Sequence, residues 1–367
     1  MSERATDRMR IHWDVGTAYD LFISYAVLKD PKKFGIRSSW ASGMRARLQP
    51  EDRAVLDTSL EVLNSPAKWI HSLPHPKDVE HCLVALSQIQ AQDRLSALSC
   101  CPNQDDERSP VQQLLVSVSE KGTWSEADLE ALRAFHAQKK SGHPSPGLED
   151  LTLILDTWSS AEAFGEGLLR ALRNYQDVFF KEEEQRIAPK LKRALEYAQE
   201  RSKTLSPVAL IEEISQGIRY EHLPTIKELT LVPSYWINPF VQMHAIESGH
   251  RLWTFGARPI EDSLVPGEPV PDALRVSLKA LADPTRLRIL RYLHQEPLTL
   301  AELTKRLRLR MPTVIHHLSA LRLAGLVLIH VETEVKGHRQ RFSARAEGLD
   351  TALQSLKAFL ESDQESA

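Results

Sequence analysis

Residues 278–327 read LKALADPTRLRILRYLHQEPLTLAELTKRLRLRMPTVIHHLSALRLAGLV, and they carry the strongest structural signals in the chain. Asp283 followed by Pro284 predicts a helix N-terminus, because aspartate caps free N–H groups and proline suits the first helical turn. Thr299 and Glu302 have the spacing of a capping box, which predicts a second helix. A third helix is predicted to end at Gly325. The stretch therefore predicts three short helices joined by tight turns.

The flanking residues extend this pattern into a complete module. LRVSLKALA (274–282) predicts a preceding helix, and GLDTALQSLKAFLE (348–361) predicts a closing one. LVLIHVE (326–332) and RQRFSAR (339–345) read as two strands, with Gly337 in the turn between them. Residues 273–362 are therefore predicted to form a winged helix-turn-helix.

Two motifs in this module resemble the ArsR-type transcriptional regulators. They are L-x-A-L-A-D-P-T-R-L-R-I-L at 278–290 and P-T-V-I-H-H-L-x-x-L-R-x-A-G-L-V at 312–327. More loosely, LTLVPSYWINP (229–239) resembles a domain of unknown function that precedes such modules in some regulators. The resemblance implies a repressor that binds double-stranded DNA as a homodimer, at an inverted repeat, and responds to a small-molecule effector.

Charge is distributed unevenly along the chain. Residues 273–346 hold 14 Lys and Arg against 5 Asp and Glu, a net charge of +9, whereas the remainder carries −12. A compact basic module on an acidic chain is typical of a polyanion-binding domain, although a solvated basic face would give the same count. The apolar content of 42% excludes disorder of the whole chain, and only 15 glycines in 367 residues disfavour an all-β fold.

The length predicts two or three domains, and the patterns place their boundaries. Residues 1–216 are predicted to form a mainly helical domain, a possible sensor, with a short antiparallel β element at 217–264 packed on it. VPGEPVPD (265–272) has three prolines and predicts a stiff linker. The predicted fold class is mainly α (α+β). Lacking a signal segment and a long apolar run, the chain is expected to be a soluble cytoplasmic protein with no membrane partner.

Candidate DNA contacts follow from the helix expected to enter the major groove and from the basic wing. They are Arg310, Met311, Thr313, His316, Ser319, Arg322, Lys336, His338, Arg339 and Arg341. The family usually has a Ser or Gln pair where this chain has Arg310 and Met311, and a Ser where it has Ile315. Because Met and Ile make no bidentate hydrogen bonds to bases, we expect modest sequence specificity. His317 falls beside core positions, where a structural role is expected.

Leucines on the first and last helices of the module are candidates for a dimer interface. They are Leu274, Leu278, Leu349, Leu353, Leu356 and Leu360. The resemblance places the dimer seam on these two helices, whereas the spacing alone would equally allow a core within one module.

No metal or other cofactor is expected. The helix before the recognition helix, PLTLAELTKRL (297–307), lacks the Cys-x-Cys of the family's thiolate site, and the last helix has Asp350 but no His. Upstream, His71, His75, His81 and Cys82 include metal-ligand types, but Cys82 also fits an apolar helix face. Cys100 and Cys101 are adjacent, so a disulfide framework is not expected.

The sequence contains none of the common catalytic motifs, GxGxxG, the P-loop or GxSxG, and an enzyme is not expected. Aromatic residues between 220 and 255 would either line a ligand pocket or form the core of a small sheet. They are Tyr220, Tyr235, Trp236, Phe240, Trp253 and Phe255. The alternative function is a ligand-binding or vestigially enzymatic N-terminal domain whose winged helix binds DNA weakly or contacts protein.

Overall fold

The structure is a computed structural model of the chain and describes residues 9–63, 66–99, 110–138, 146–220, 226–334 and 337–361. The described part is mainly helical with two small sheets, which confirms the predicted fold class at that level. The chain divides into two compact units. The first unit comprises Met1–Val15, Asp30–Ala41 and Ile187–Ala367, and the second comprises Gly16–Lys29 and Ser42–Arg186.

The second unit is helical in its described part. Its helices are α1 (Thr17–Lys29), α3 (Pro50–Val62), α4 (Ala67–Ser72), α5 (Val79–Gln88), α6 (Ala91–Ser99), α7 (Pro110–Lys121), α8 (Glu126–Gln138), α9 (Leu148–Ser159) and α10 (Ala161–Tyr175). Helices α2 (Ser38–Arg45) and α11 (Lys181–Ser202) each begin in one unit and end in the other. A π-helical turn, Gln176–Phe180, joins α10 to α11 and has no counterpart in the sequence prediction.

Close helix packing in the second unit depends on a glycine. Leu95, Leu155 and Trp158 are fully buried in its core. A Cβ atom on Gly165 of α10 would lie 2.0 Å from the carbonyl oxygen of Ala91 at the start of α6. Only glycine therefore allows these two helices to approach this closely.

The first unit contains a four-stranded sheet with the strand order β1-β3-β5-β4. Its strands are β1 (Arg10–Trp13), β3 (Glu228–Ser234), β4 (Val241–Glu247) and β5 (His250–Gly256). The prediction that this β element is antiparallel is wrong for two of the three strand pairs in the sheet. The pairs β1–β3 and β3–β5 are parallel, and the pair β4–β5 is antiparallel. β1 was not predicted. Parallel pairing needs a long connection, and the helices between β1 and β3 provide one.

The C-terminal module follows the predicted order of elements. It consists of α13 (Asp272–Leu281), α14 (Pro284–Gln295), α15 (Leu300–Leu307), α16 (Met311–Leu323), β6 (Val327–Glu334), β7 (Gly337–Ala344) and α17 (Ala346–Glu361). Ile289, Leu303, Val314 and Leu321 are fully buried in its core. The wing sheet has three strands, because β2 (Ile218–Tyr220), which follows α12 (Pro207–Ile214), pairs in parallel with β6.

The predicted boundaries at 216, 264 and 272 all fall inside the first unit, and their status as domain boundaries stays a prediction. Within the predicted β element, β2 belongs to the wing sheet and β3 to β5 belong to the other sheet. The proline-rich segment makes contacts at its middle and at its two ends. Glu268 forms an ion pair with Arg37, and the Asp272 carboxylate accepts a 2.8 Å hydrogen bond from the Leu264 N–H.

Candidate nucleic-acid interface

The two helices that precede α16 begin with capping interactions that the sequence predicts. The Asp283 carboxylate accepts a 2.9 Å hydrogen bond from the Arg286 N–H and starts α14. The Thr299 N–H donates to Glu302 at 2.7 Å, while the Glu302 N–H donates to the Thr299 hydroxyl at 3.3 Å. Arg308 follows the last residue of α15, and its φ of 56° is left-handed, a conformation that costs a non-glycine residue about 1–2 kcal/mol. This strained turn sets the direction of α16.

One face of α16 is buried and the other is open to solvent. Val314, Leu318 and Leu321 pack into the module core. Five of the predicted base-reading side chains are exposed together on the opposite side: Arg310, Met311, Thr313, His316 and Ser319. Ile315 is exposed among them, with 46% of its surface accessible. The structure therefore brings these five side chains to one surface that carries both polar and apolar groups.

His317 lies on the edge between these two faces. Its side chain is mostly buried, and its Nδ1 lies 4.0 Å from the Asp283 carboxylate. Burial lowers the pKa of the imidazole, an effect that the neighbouring carboxylate partly opposes. His317 therefore faces the cap of α14 rather than the open surface of α16.

Arg322 was predicted to contact DNA, and the structure contradicts this. Its side chain is only 6% exposed. The guanidinium donates hydrogen bonds to the carbonyl oxygens of Gln216 at 2.6 Å, Ser215 at 2.9 Å and Pro239 at 3.1 Å. Burial and the nearby charge of Arg345 lower its pKa to about 10. Arg322 therefore joins α16 to the chain around β2 and β4, and it is not available to a phosphate.

Further exposed cations lie on α14, on α15 and in the turn between α15 and α16. They are Arg288, Arg291, Lys305, Arg306 and Arg308. Arg306 is partly engaged, since its guanidinium lies 2.6 Å from the Glu296 carboxylate and 5.8 Å from the centre of the Tyr292 ring. Arg286 is turned inward and donates to the carbonyl oxygens of Ala280 and Lys279. Two of the positive charges counted in the sequence, those of Arg286 and Arg306, thus interact with groups of the protein itself.

The wing candidates are described only in part. Lys336 lies outside the described residues. His338 and Arg339 belong to β7 by their backbone, but their side chains lie outside the described part. Arg341 is half-buried on β7, in register with His330 of β6.

The six leucines predicted to form a dimer interface differ in their solvent exposure. Leu278, Leu353 and Leu360 are exposed by 41%, 62% and 73% of their surface. Leu274 is only 2% exposed, so its assignment to a dimer surface is wrong. Leu349 packs on the module core and Leu356 is half-buried. An exposed apolar surface therefore remains on α13 and α17, although it is narrower than predicted.

Most of the aromatic residues are core residues. Tyr235, Trp236 and Trp253 are buried, and Tyr220 packs edge-to-face on Trp253 with 5.5 Å between ring centres. Phe255 is also buried and borders a cavity. Phe240 packs edge-to-face on Phe34.

The metal candidates do not come together in the described part of the chain. Cys82 is buried, and burial raises its thiol pKa to about 12. Within the described ranges, no cluster of three or more His, Cys, Asp or Glu is arranged to hold a metal ion. Cys100 and Cys101 lie outside those ranges. In the same ranges, no helix combines the length and apolar character that crossing a bilayer requires.

Comparison with known proteins identifies the module that carries this surface. Residues 281–330, from the last residue of α13 into β6, match a family described as a helix-turn-helix domain. No curated protein and no solved structure matches the chain. The chain thus carries a C-terminal helix-turn-helix domain, the type of domain through which transcription regulators bind DNA.

Proposed function

We propose that this protein is an ArsR-type transcriptional repressor whose helix α16 binds in the major groove of double-stranded DNA. The observation that carries the proposal is the solvent-exposed face of α16, inside a matched helix-turn-helix domain. Arg310, Thr313, His316 and Ser319 offer hydrogen bonds to base edges and phosphates. Met311 and Ile315 offer apolar contact to thymine methyl groups. The protein acts by binding DNA rather than by catalysis.

Phosphate contacts supply most of the affinity in this proposal. Arg288 and Arg291 on α14, Lys305 on α15 and Arg308 after it are exposed, and in the described part of the chain no carboxylate oxygen lies within 4 Å of their charged groups. Each phosphate that such a side chain neutralises adds about 0.9 to the slope of log affinity against log salt. Affinity is therefore expected to fall steeply with salt, while discrimination between sequences rests on few side chains.

The protein binds an inverted repeat as a homodimer. Leu278, Leu353 and Leu360 form the exposed apolar surface on α13 and α17 that a second copy would cover. A two-fold dimer places its recognition helices about 34–36 Å apart, one turn of B-DNA. The residues outside the helix-turn-helix module modulate this binding in response to a small molecule.

The test is fluorescence anisotropy of the full chain with a labelled DNA fragment from upstream of its own gene, with scrambled DNA as competitor. Specific binding should survive the competitor, and His316→Ala should reduce the preference for the fragment by about 1 kcal/mol, or about fivefold, because one histidine makes a single hydrogen bond to a base edge. His294→Ala is the matched control, because His294 is an exposed histidine that lies on α14 and not on α16. Equal binding of fragment and competitor would contradict the proposal.

A further inference from the structure

A cavity of about 620 Å³ lies within the first unit. Its wall comes from α11, α12, α13, the loop after β5, the end of α16 and the start of α17. Small-molecule sites typically measure about 300–1,000 Å³, so the cavity has the size of a ligand site. Phe34, Ile214, Phe255, Val276 and Leu323 supply apolar surface.

Two of the three carboxylates in this wall are already neutralised. Glu213 accepts two hydrogen bonds from the guanidinium of Arg201, at 2.6 and 2.8 Å. Asp272 accepts from the guanidinium of Arg275 at 2.8 Å and from the Leu264 N–H at 2.8 Å. These carboxylates therefore contribute little negative charge to the cavity.

Two arginines in the wall, Arg193 and Arg345, form no ion pair with a carboxylate of the described residues. Arg193 is exposed, whereas Arg345 is half-buried and donates a 3.3 Å hydrogen bond to the Gly325 carbonyl oxygen. Among the described residues, no carboxylate oxygen lies within 4 Å of either guanidinium. Burial lowers the pKa of Arg345, an effect that the more distant charges of Glu347 and Glu212 partly oppose. Glu213 and Asp272 are paired with arginines, so the third carboxylate of the described wall, Glu261, is the one left without such a pair, and its side chain is exposed.

We propose that this cavity binds a small organic anion, a carboxylate or sulfonate attached to an apolar body. Arg193 and Arg345 hold the anionic group, since guanidinium groups bind such oxygens through charge-assisted hydrogen bonds. Phe255 and Leu323 contact the apolar body. Arg258, a further cation of the wall, lies 5.9 Å from the centre of the Tyr235 ring.

Occupancy of the cavity regulates DNA binding through the end of α16, and this part rests on the proposed function. Leu323 and Gly325, where α16 ends, belong to the cavity wall. An anion that draws the Arg345 guanidinium toward itself competes with the Gly325 carbonyl for that group. The wall also includes α13 and α17, whose leucines form the proposed dimer surface. A ligand can therefore alter both the recognition helix and the spacing of two copies.

Binding can be tested on the full chain with 8-anilinonaphthalene-1-sulfonate and its neutral analogue N-phenyl-1-naphthylamine, both followed by fluorescence. We expect one saturable sulfonate site per chain. Arg193→Gln should weaken sulfonate binding two- to fivefold, and Arg345→Gln about tenfold, with little effect on the neutral analogue. Ala194→Trp, which fills the cavity, should abolish the site. Lys192→Gln is the matched control, because Lys192 neighbours Arg193 but lies outside the wall.

The proposed site would be wrong if the charged and neutral probes bound with equal affinity. It would also be wrong if Ala194→Trp and Arg193→Gln left the affinity for the sulfonate unchanged. The regulatory part is tested by DNA anisotropy at saturating sulfonate, where the DNA dissociation constant should change at least about fivefold in the wild type and not in Ala194→Trp. If the DNA dissociation constant did not change, the regulatory proposal would be wrong but the proposed binding site would not be affected. If the protein bound no DNA, the proposed function would fail while the probe titration still tested the cavity.

Discussion

Replacing Arg322 with alanine is expected to destabilise the first unit by about 3 kcal/mol. The wild-type guanidinium donates to three carbonyl oxygens at 2.6–3.1 Å, and the side chain is only 6% exposed. Truncation leaves these acceptors without their donor, at about 1 kcal/mol each. For a unit of this size, the unfolding temperature should fall by about 6–12 °C. Arg288→Ala, at an exposed position on the same module, should leave it nearly unchanged.

Calorimetry of the full chain measures this shift, and a salt titration separates it from a DNA contact. If Arg322 is structural, the slope of log DNA affinity against log salt is unchanged in Arg322→Ala at a temperature where the protein is folded. Arg310→Ala should reduce the slope by about 0.9, because Arg310 is exposed and proposed to contact a phosphate. An unchanged unfolding temperature together with a reduced slope in Arg322→Ala would refute the reasoning.

Three further predictions concern other parts of the molecule. Leu353→Glu should convert the proposed dimer to a monomer in sedimentation velocity, because it places a charge in the apolar surface. If the variant remained a dimer, the interface would not include Leu353. Gly165→Ala should lower the unfolding temperature of the second unit, since the new Cβ would lie 2.0 Å from the Ala91 carbonyl oxygen, whereas Gly43→Ala meets no atom within 4 Å and should be neutral or stabilising. Because the folded-state pKa of His317 is lowered, stability should decline as the pH falls below about 6.5, and His317→Gln should weaken that decline in urea titrations.

Local signals in the sequence predicted local structure well. Asp283 and the Thr299–Glu302 pair cap helices as expected, because a capping side chain and its target lie three residues apart. The exposed face of α16 also followed from helical spacing, since Val314 and Leu318 identify the buried side. These features depend on contacts within one or two helical turns.

The failures involve partners that are distant in the chain. Arg322 looks like an exposed basic residue beside a recognition helix, yet its acceptors lie at residues 215, 216 and 239. Leu274 shares a stripe with Leu278, yet it is only 2% exposed whereas Leu278 is 41% exposed. The parallel pairing of β2 with β6 likewise joins segments about 110 residues apart. Periodicity cannot show which distant segment covers a given face.

The parallel pairing of β1 with β3 determines the order in which the protein can fold during synthesis. Ile11 pairs with Leu229, so more than 200 residues must be translated before β1 meets the strand it pairs with. At about 5–20 residues per second, this wait lasts at least roughly 10–40 s. The second unit ends at Arg186 and has all its segments earlier. The unit that contains β1 is therefore completed on the ribosome after the second unit.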